Sequence, residues 1–202
     1  MHGGMLAFSK PTPKRMPRIA ILGWGSLYWD REPKFDRYHR GWYEAKGPMI
    51  NLEYSQIVPD KDDGLALVID PRAGAPCRVG HCISKRDTIR AVVRDLAKRE
   101  ETDAENIGHL QVQSGTAHGH DVETLKTVLD WARRMRMDAV VWTDTPSNFK
   151  QRTGKPFSVK SAVQHIRSLK PETKAKVAEY VWRSPKFVDT PLRRALQKPP
   201  WF

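Results

Sequence analysis

Glu100 occupies an unusual place for a carboxylate. If residues 85–101 wind as a helix at about 100° per residue, Ile89, Val92, Val93 and Leu96 fall within about 60° of one direction. Glu100 lies near the middle of that apolar stripe, whereas Asp95 and Glu101 point elsewhere. Burial penalises the ionised form, and the last turn of a helix presents the negative end of its dipole; both effects raise a carboxylate toward the range of a general base. The stripe also allows a plainer arrangement, in which Glu100 pairs with an Arg or frays into solvent at the helix end. A second feature is the segment ILGWGSLYWD, residues 21–30. A strand that runs into Gly23-Trp24-Gly25-Ser26 exposes consecutive N–H groups at a tight turn, and such a nest binds carboxylate or phosphate oxygens. Gly23 and Gly25 permit the positive φ and close approach this needs, although an ordinary turn has the same letters. It is not a dinucleotide fingerprint, because the third glycine and the following helix are missing.

Other chemistry-bearing residues give weaker patterns. Glu53 alternates with Asn51 and Ser55, so it faces solvent, or lines a cavity if the sheet curls into a barrel. His118-Gly119-His120, with His109 nearby, brings imidazoles together without a Cys or a carboxylate at helical spacing, so these read as polar loop residues and no metal is expected. Ser26 lacks a nucleophile-elbow context. Cys77 and Cys82, five apart in one strand-like stretch, fall on opposite faces and suit neither a disulfide nor a zinc knuckle.

The elements that must position these groups read as follows. An apolar strand over 18–23 leads into the glycine loop, and a polar, aromatic-rich stretch with room for a short helix runs to Gly47-Pro48. Strands over 49–58, 65–70 and 78–83 are separated by Pro/Asp/Gly turns. Ser84 is placed to cap the helix 85–101, with Asp87 in its first turn. A strand over 107–113, a helix from the Asp121 cap to about Met137 and a strand over 138–143 follow. Helices over 158–169 and 171–183 come next, and a last helical piece opens with Thr190-Pro191. Strands precede and separate helices without strict alternation, which predicts an α+β fold with a mixed or barrel-like β-sheet and flanking helices.

Taken together, the loop and the helix resemble the γ-glutamylcyclotransferase-like fold family, and its ChaC-type branch in particular. That family opens with a strand and a Tyr-Gly-Ser-Leu-like loop, matched here by Trp24-Gly25-Ser26-Leu27-Tyr28-Trp29. A Gly-containing strand follows, matched by Val79-Gly80-His81-Cys82-Ile83, then a helix ending in Leu96-Ala97-Lys98-Arg99-Glu100. The resemblance covers about residues 18–113. It implies an enzyme in which Glu100 is the base and the backbone of the Gly23–Leu27 loop, with Trp24, Gly25 and Ser26, cradles the substrate carboxylate. The implied reaction releases 5-oxoproline from a small γ-glutamyl substrate by intramolecular aminolysis, with no metal or organic cofactor. Glu53 is a second-tier pocket residue. Departures are Trp24 in place of the family tyrosine, Glu101-Thr102-Asp103 after the base, and no tyrosine in the strand 107–113.

Charge divides the 202 residues unevenly. Of 35 Lys+Arg and 23 Asp+Glu, residues 1–18 carry four basic and no acidic groups, 19–144 carry 18 basic and 20 acidic, and 145–202 carry 13 basic and three acidic. The net +12 therefore belongs to the two ends. This predicts a flexible basic arm over 1–17, a domain over 18–144 and a basic helical extension over 145–202 packed on it. The extension suits nonspecific contact with a polyanion, and a catalytically silent domain that binds nucleic acid or an acidic partner through it is the alternative function. No apolar run reaches the roughly 20 residues of a membrane span, and the amino-terminal stretch lacks the apolar region of a secretory signal, so a cytoplasmic protein is expected.

Overall fold

The computed structural model describes residues 15–197. Among the described residues, eight strands and seven α-helices follow one another as β1 (Ile19–Gly23), α1 (Pro33–Asp36), β2 (Met49–Val58), β3 (Gly64–Ile69), β4 (Ala75–Arg78), β5 (Gly80–Ile83), α2 (Ile89–Arg99), β6 (Ile107–Gln111), β7 (Ala117–His118), α3 (Val122–Arg134), β8 (Ala139–Thr143), α4 (Phe149–Thr153), α5 (Val159–Ser168), α6 (Pro171–Arg183) and α7 (Pro191–Leu196). The fold is α+β. A mixed five-stranded sheet has the order β5-β1-β8-β6-β7, with β1 parallel to β8 and the other pairs antiparallel. A second, antiparallel sheet has the order β3-β2-β4.

The barrel-like alternative is not realised, because the chain changes sheets at Val79. The strand expected over 78–83 is two strands: β4 pairs with β2, and β5 pairs with β1. Cys77 and Cys82 consequently sit in different sheets, both buried as free thiols, and not on two faces of one strand.

Alternation in β1 and β8 puts apolar side chains on both faces of the larger sheet. Ile19, Ile21, Ala139, Val141, Cys82 and Ile107 meet Val92, Leu96 and Ala97 of α2 on one side. Ala20, Leu22, Leu110, Val140 and Trp142 face the larger core, built with the three-stranded sheet and helices α3 and α5–α7. A strand buried on both faces reads as a continuous apolar run, as Ile19–Leu22 does.

Helix α2 starts four residues later than Ser84 predicts. Thr88 is its cap, accepting the Ala91 N–H, while Ser84 instead accepts the Arg86 N–H in a local turn. Asp87 thus lies outside the helix. Its neighbour Arg86 is held by a two-pronged bond to Asp95 at 2.6 and 3.1 Å. The caps expected at Asp121 on α3 and Thr190 on α7 are in place, and Ser158, expected as the first helical residue, caps α5.

The carboxy-terminal helices are part of the main core. Phe149, Ala162, Val163, Ile166, Val177, Val181, Leu192 and Leu196 belong to the same apolar cluster as β1, β2 and β3. Arg193, counted by sequence among the basic surface, is buried, and its guanidinium donates to the Ser184, Pro185 and Val188 carbonyls at 2.6–2.7 Å. At the other end, the arm expected over 1–17 lies outside the described residues up to residue 14, as do Lys198 and Trp201. Arg15 and the Arg18 N–H are both bonded to Asp138, so the arm's last residues are anchored.

Candidate active site

Three separate parts of the chain meet around a cavity of about 340 Å³: the segment Ser26–Asp30 after β1, the carboxy-terminal end of α2, and α6. Lys61, in the turn after β2, also lines it. Glu100 is the residue at which α2 ends; its N–H still bonds back to Leu96, and Glu101 turns the chain into the left-handed region at φ 51°. Because Val92 and Leu96 are buried on the same stripe, the Glu100 carboxylate is carried inward, and its Oε1 is buried without a hydrogen-bond partner among the described residues. Burial raises its pKa from the ordinary 4.5; Arg99 and Lys61 oppose the shift, and Asp30 and Glu101 add to it.

The side chains beside Glu100 are mostly engaged. Arg99 Nη2 donates to the Asp30 backbone oxygen at 2.8 Å and to its carboxylate at 3.2 Å. Arg183 bonds Glu179 at 2.9 Å and lies over Trp29, which in turn meets Tyr180 edge-on at 5.6 Å. Burial keeps the Tyr180 phenol protonated, with a bond to the Leu67 backbone. Lys61 has no bonded partner among the described residues and is exposed at the rim.

The glycine loop forms a short 3-10 turn, Gly25–Tyr28, directly after β1. The first N–H groups of such a turn have no partner within it and remain free to bind an acceptor. Of the residues expected to form the site, the fold brings Ser26 and Glu100 to one cavity. Gly25 has φ +67°, and a Cβ there would stand 2.8 Å from Tyr180 Oη, so glycine is required both by conformation and by space. Trp24 and Leu27 anchor the loop from behind, each 7% exposed and each in a different apolar cluster.

Two expected residues have other roles. Gly23 lacks a positive φ; a Cβ there would run into the Trp42 ring, so it is a packing glycine. Glu53 is fully buried and lines neither solvent nor this cavity. Its Oε1 accepts the Tyr54 N–H at 2.9 Å and its Oε2 the Leu192 N–H at 3.2 Å, with Thr190 also bonded to it, so it fastens the start of α7 to β2. Burial raises its pKa, and these bonds oppose that.

Sequence reasoning missed Trp29, Asp30, Lys61, Arg99, Tyr180 and Arg183 as cavity residues. Trp29, Asp30 and Arg99 lie within the quoted motifs, so they carried a signal that was not read as a cavity role. Tyr180, 80 positions from Glu100, carried none. Its phenol reaches the cavity from a helix, whereas the family resemblance suggested looking in the strand after α2. Among the described residues no group of three or more His, Cys, Asp or Glu is placed to hold a metal ion, and no helix is long and apolar enough to cross a membrane. The chain matches no protein-family model, no curated protein and no solved structure.

Proposed function

We propose that the protein is a γ-glutamylcyclotransferase-like enzyme that releases 5-oxoproline from a γ-glutamyl amine or peptide, with Glu100 as general base. The observation that carries this reading is Glu100 Oε1, buried without a hydrogen-bond partner among the described residues, at a cavity that Glu100 shares with Ser26. An unpartnered buried carboxylate is costly, and a substrate ammonium is a group that offsets the cost.

In the reaction, Glu100 takes a proton from the α-ammonium of the γ-glutamyl group. The freed amine attacks its own γ-carbonyl carbon, and the five-membered ring closes. The leaving nitrogen collects a proton from Glu100 as its bond to the carbonyl carbon breaks, and the ring nitrogen gives up the second of its two hydrogens to the departing amine, which leaves as its ammonium, so the carboxylate ends as it began. An α-ammonium titrates near ~8, and a carboxylate raised above its ordinary value narrows the gap for the first transfer. The N–H groups that open the Gly25–Tyr28 turn, with the Ser26 hydroxyl, are suited to hold the substrate carboxylate or the developing oxyanion. Closing a ring within one molecule makes proximity the main contribution, which is why a single base and a shaped cavity suffice.

Purified protein should release 5-oxoproline from at least one member of a panel of γ-glutamyl amines and γ-glutamyl peptides. Glu100→Gln should reduce turnover by about 10²–10⁴-fold. Absence of product across the panel, or full turnover by Glu100→Gln, overturns the proposal.

A further inference from the structure

Glu100 has an arginine as its chain neighbour, and that arginine is committed elsewhere. Arg99 is the last residue of α2, and its side chain is only 11% exposed. Nη2 donates to the Asp30 backbone oxygen at 2.8 Å and to the Asp30 carboxylate at 3.2 Å, and Nε faces the Glu32 carboxylate at 3.9 Å. No ion pair joins Arg99 to Glu100 among the described residues. A carbonyl and two carboxylates thus satisfy the guanidinium, and the Glu100 carboxylate is left for a ligand.

The bond to the Asp30 carbonyl reaches further than one residue. The Trp29 and Asp30 N–H groups both return to the Ser26 oxygen, at 3.1 and 2.8 Å, so Ser26–Asp30 is a closed turn, and whatever fixes Asp30 also fixes Ser26. Strand β1 runs into this turn and holds its near end, and Trp29 packs edge-on against Tyr180. Its far end is held by Arg99, from the residue beside Glu100. A guanidinium that meets a carbonyl and a carboxylate together fixes direction as well as distance. Charge adds a second effect. Burial raises the Glu100 pKa; Arg99 and then Lys61 oppose the rise, and Asp30 and Glu101 add to it. The other ionisable groups on the cavity wall, Tyr180 and Arg183, come from α6.

We infer that Arg99 is a positioning residue, which ties the Ser26–Asp30 turn to the end of α2 and so sets the place of Ser26 relative to Glu100. Its part in turnover rests on the reaction proposed above, in which the turn holds the substrate carboxylate or oxyanion while Glu100 handles the protons. A misplacement of about 1 Å between two such groups costs on the order of 10²-fold in rate.

The test compares Arg99→Ala, Arg99→Met and Arg99→Lys in the full chain. Amide hydrogen exchange at Trp29 and Asp30 should rise about tenfold in the two neutral variants. Carbon-13 spectra of the side-chain carboxyls, with Glu100 identified by its loss in Glu100→Gln, should show its midpoint moved to higher pH in both, because an opposing cation is gone. Lysine keeps the charge and loses the fork, so Arg99→Lys should return the midpoint while exchange at the turn stays raised. With a γ-glutamyl substrate, the pH at which kcat/KM rises should follow the same shift, and kcat should fall about 10²-fold in Arg99→Ala. Unmoved exchange at the turn in any of the three variants, or an unmoved Glu100 midpoint in the neutral ones, overturns the inference even where Glu100→Gln abolishes turnover. Exchange and titration need no substrate, so a panel without product overturns the proposed reaction and still leaves Arg99 to be decided by them.

Discussion

A carboxylate such as Glu100 exposes its role through pH. Folded, it keeps its proton at pH values where the unfolded chain has lost it, because burial raises its pKa. Its favourable contribution is therefore complete below the unfolded value and is lost as pH rises through the folded one. Glu100→Gln should melt with the unaltered protein below about pH 4 and above it near neutral pH. Differential scanning across that range checks this, and equal melting at all pH values would contradict a buried, unpartnered group. The kcat/KM for a γ-glutamyl substrate should rise over the same window, as Glu100 ionises, and then level off. Gly25 makes a separate prediction. Alanine there meets a left-handed backbone and the Tyr180 oxygen at 2.8 Å, so Gly25→Ala should cost roughly 1–3 kcal/mol and disturb the cavity. Tyr180→Phe removes that oxygen, and in its background the cost of Gly25→Ala should fall, as a double-mutant cycle in urea would show. The identity of Glu100 as an odd carboxylate was legible in sequence, since a helical stripe is a local property. That Oε1 lacks a partner was not, because every potential partner comes from elsewhere in the chain.

Elements were legible where local signals agree. Helices α3, α5 and α6 carry a cap or a proline start with an apolar stripe, and their observed bounds fall close to those the sequence predicts. Strand β2 occupies the expected residues, yet its alternation misleads. The register with β3 shifts between Glu53 and Gln56, and Leu52 to Ser55 are all buried. A bulge and coverage by α7 place the Glu53 carboxylate against the start of that helix, a pairing 139 positions apart in the chain. Glu53→Gln puts an amide donor where an acceptor is needed, and should cost about 1–3 kcal/mol while lowering hydrogen-exchange protection at the Leu192 amide. Unchanged protection there would show that the carboxylate does not fasten α7. The start of α2 was misplaced because Ser84 and Thr88 are both competent caps by sequence, and only the sheet decides where the chain can begin to coil. Ser84 is committed to bridging His39 at the sheet edge, leaving Thr88 to open the helix.

The boundary expected at residue 144 is a boundary of charge and not of packing. Residues from 149 to 196 complete the core over β2 and β3, so a chain ending at residue 144 should fail to fold, giving a spectrum without dispersed amide signals. A well-dispersed spectrum from residues 15–144 would show instead an independent domain. Among the 12 described Lys and Arg after residue 144, ten are exposed, Lys174 is half-buried and Arg193 is buried, so the positive charge does lie mainly on the outside of these helices. The same helices supply Tyr180 and Arg183 to the Glu100 cavity. By itself the sequence determined helices α3, α5 and α6, the first strand, the glycine turn and the uneven charge, because caps, periodicity and turn chemistry act over a few residues. Tertiary structure alone decided the split into two sheets, the buried roles of Glu53 and Arg193, and the company of Glu100. Those depend on which distant segments meet, and no local pattern encodes the free energy of that meeting.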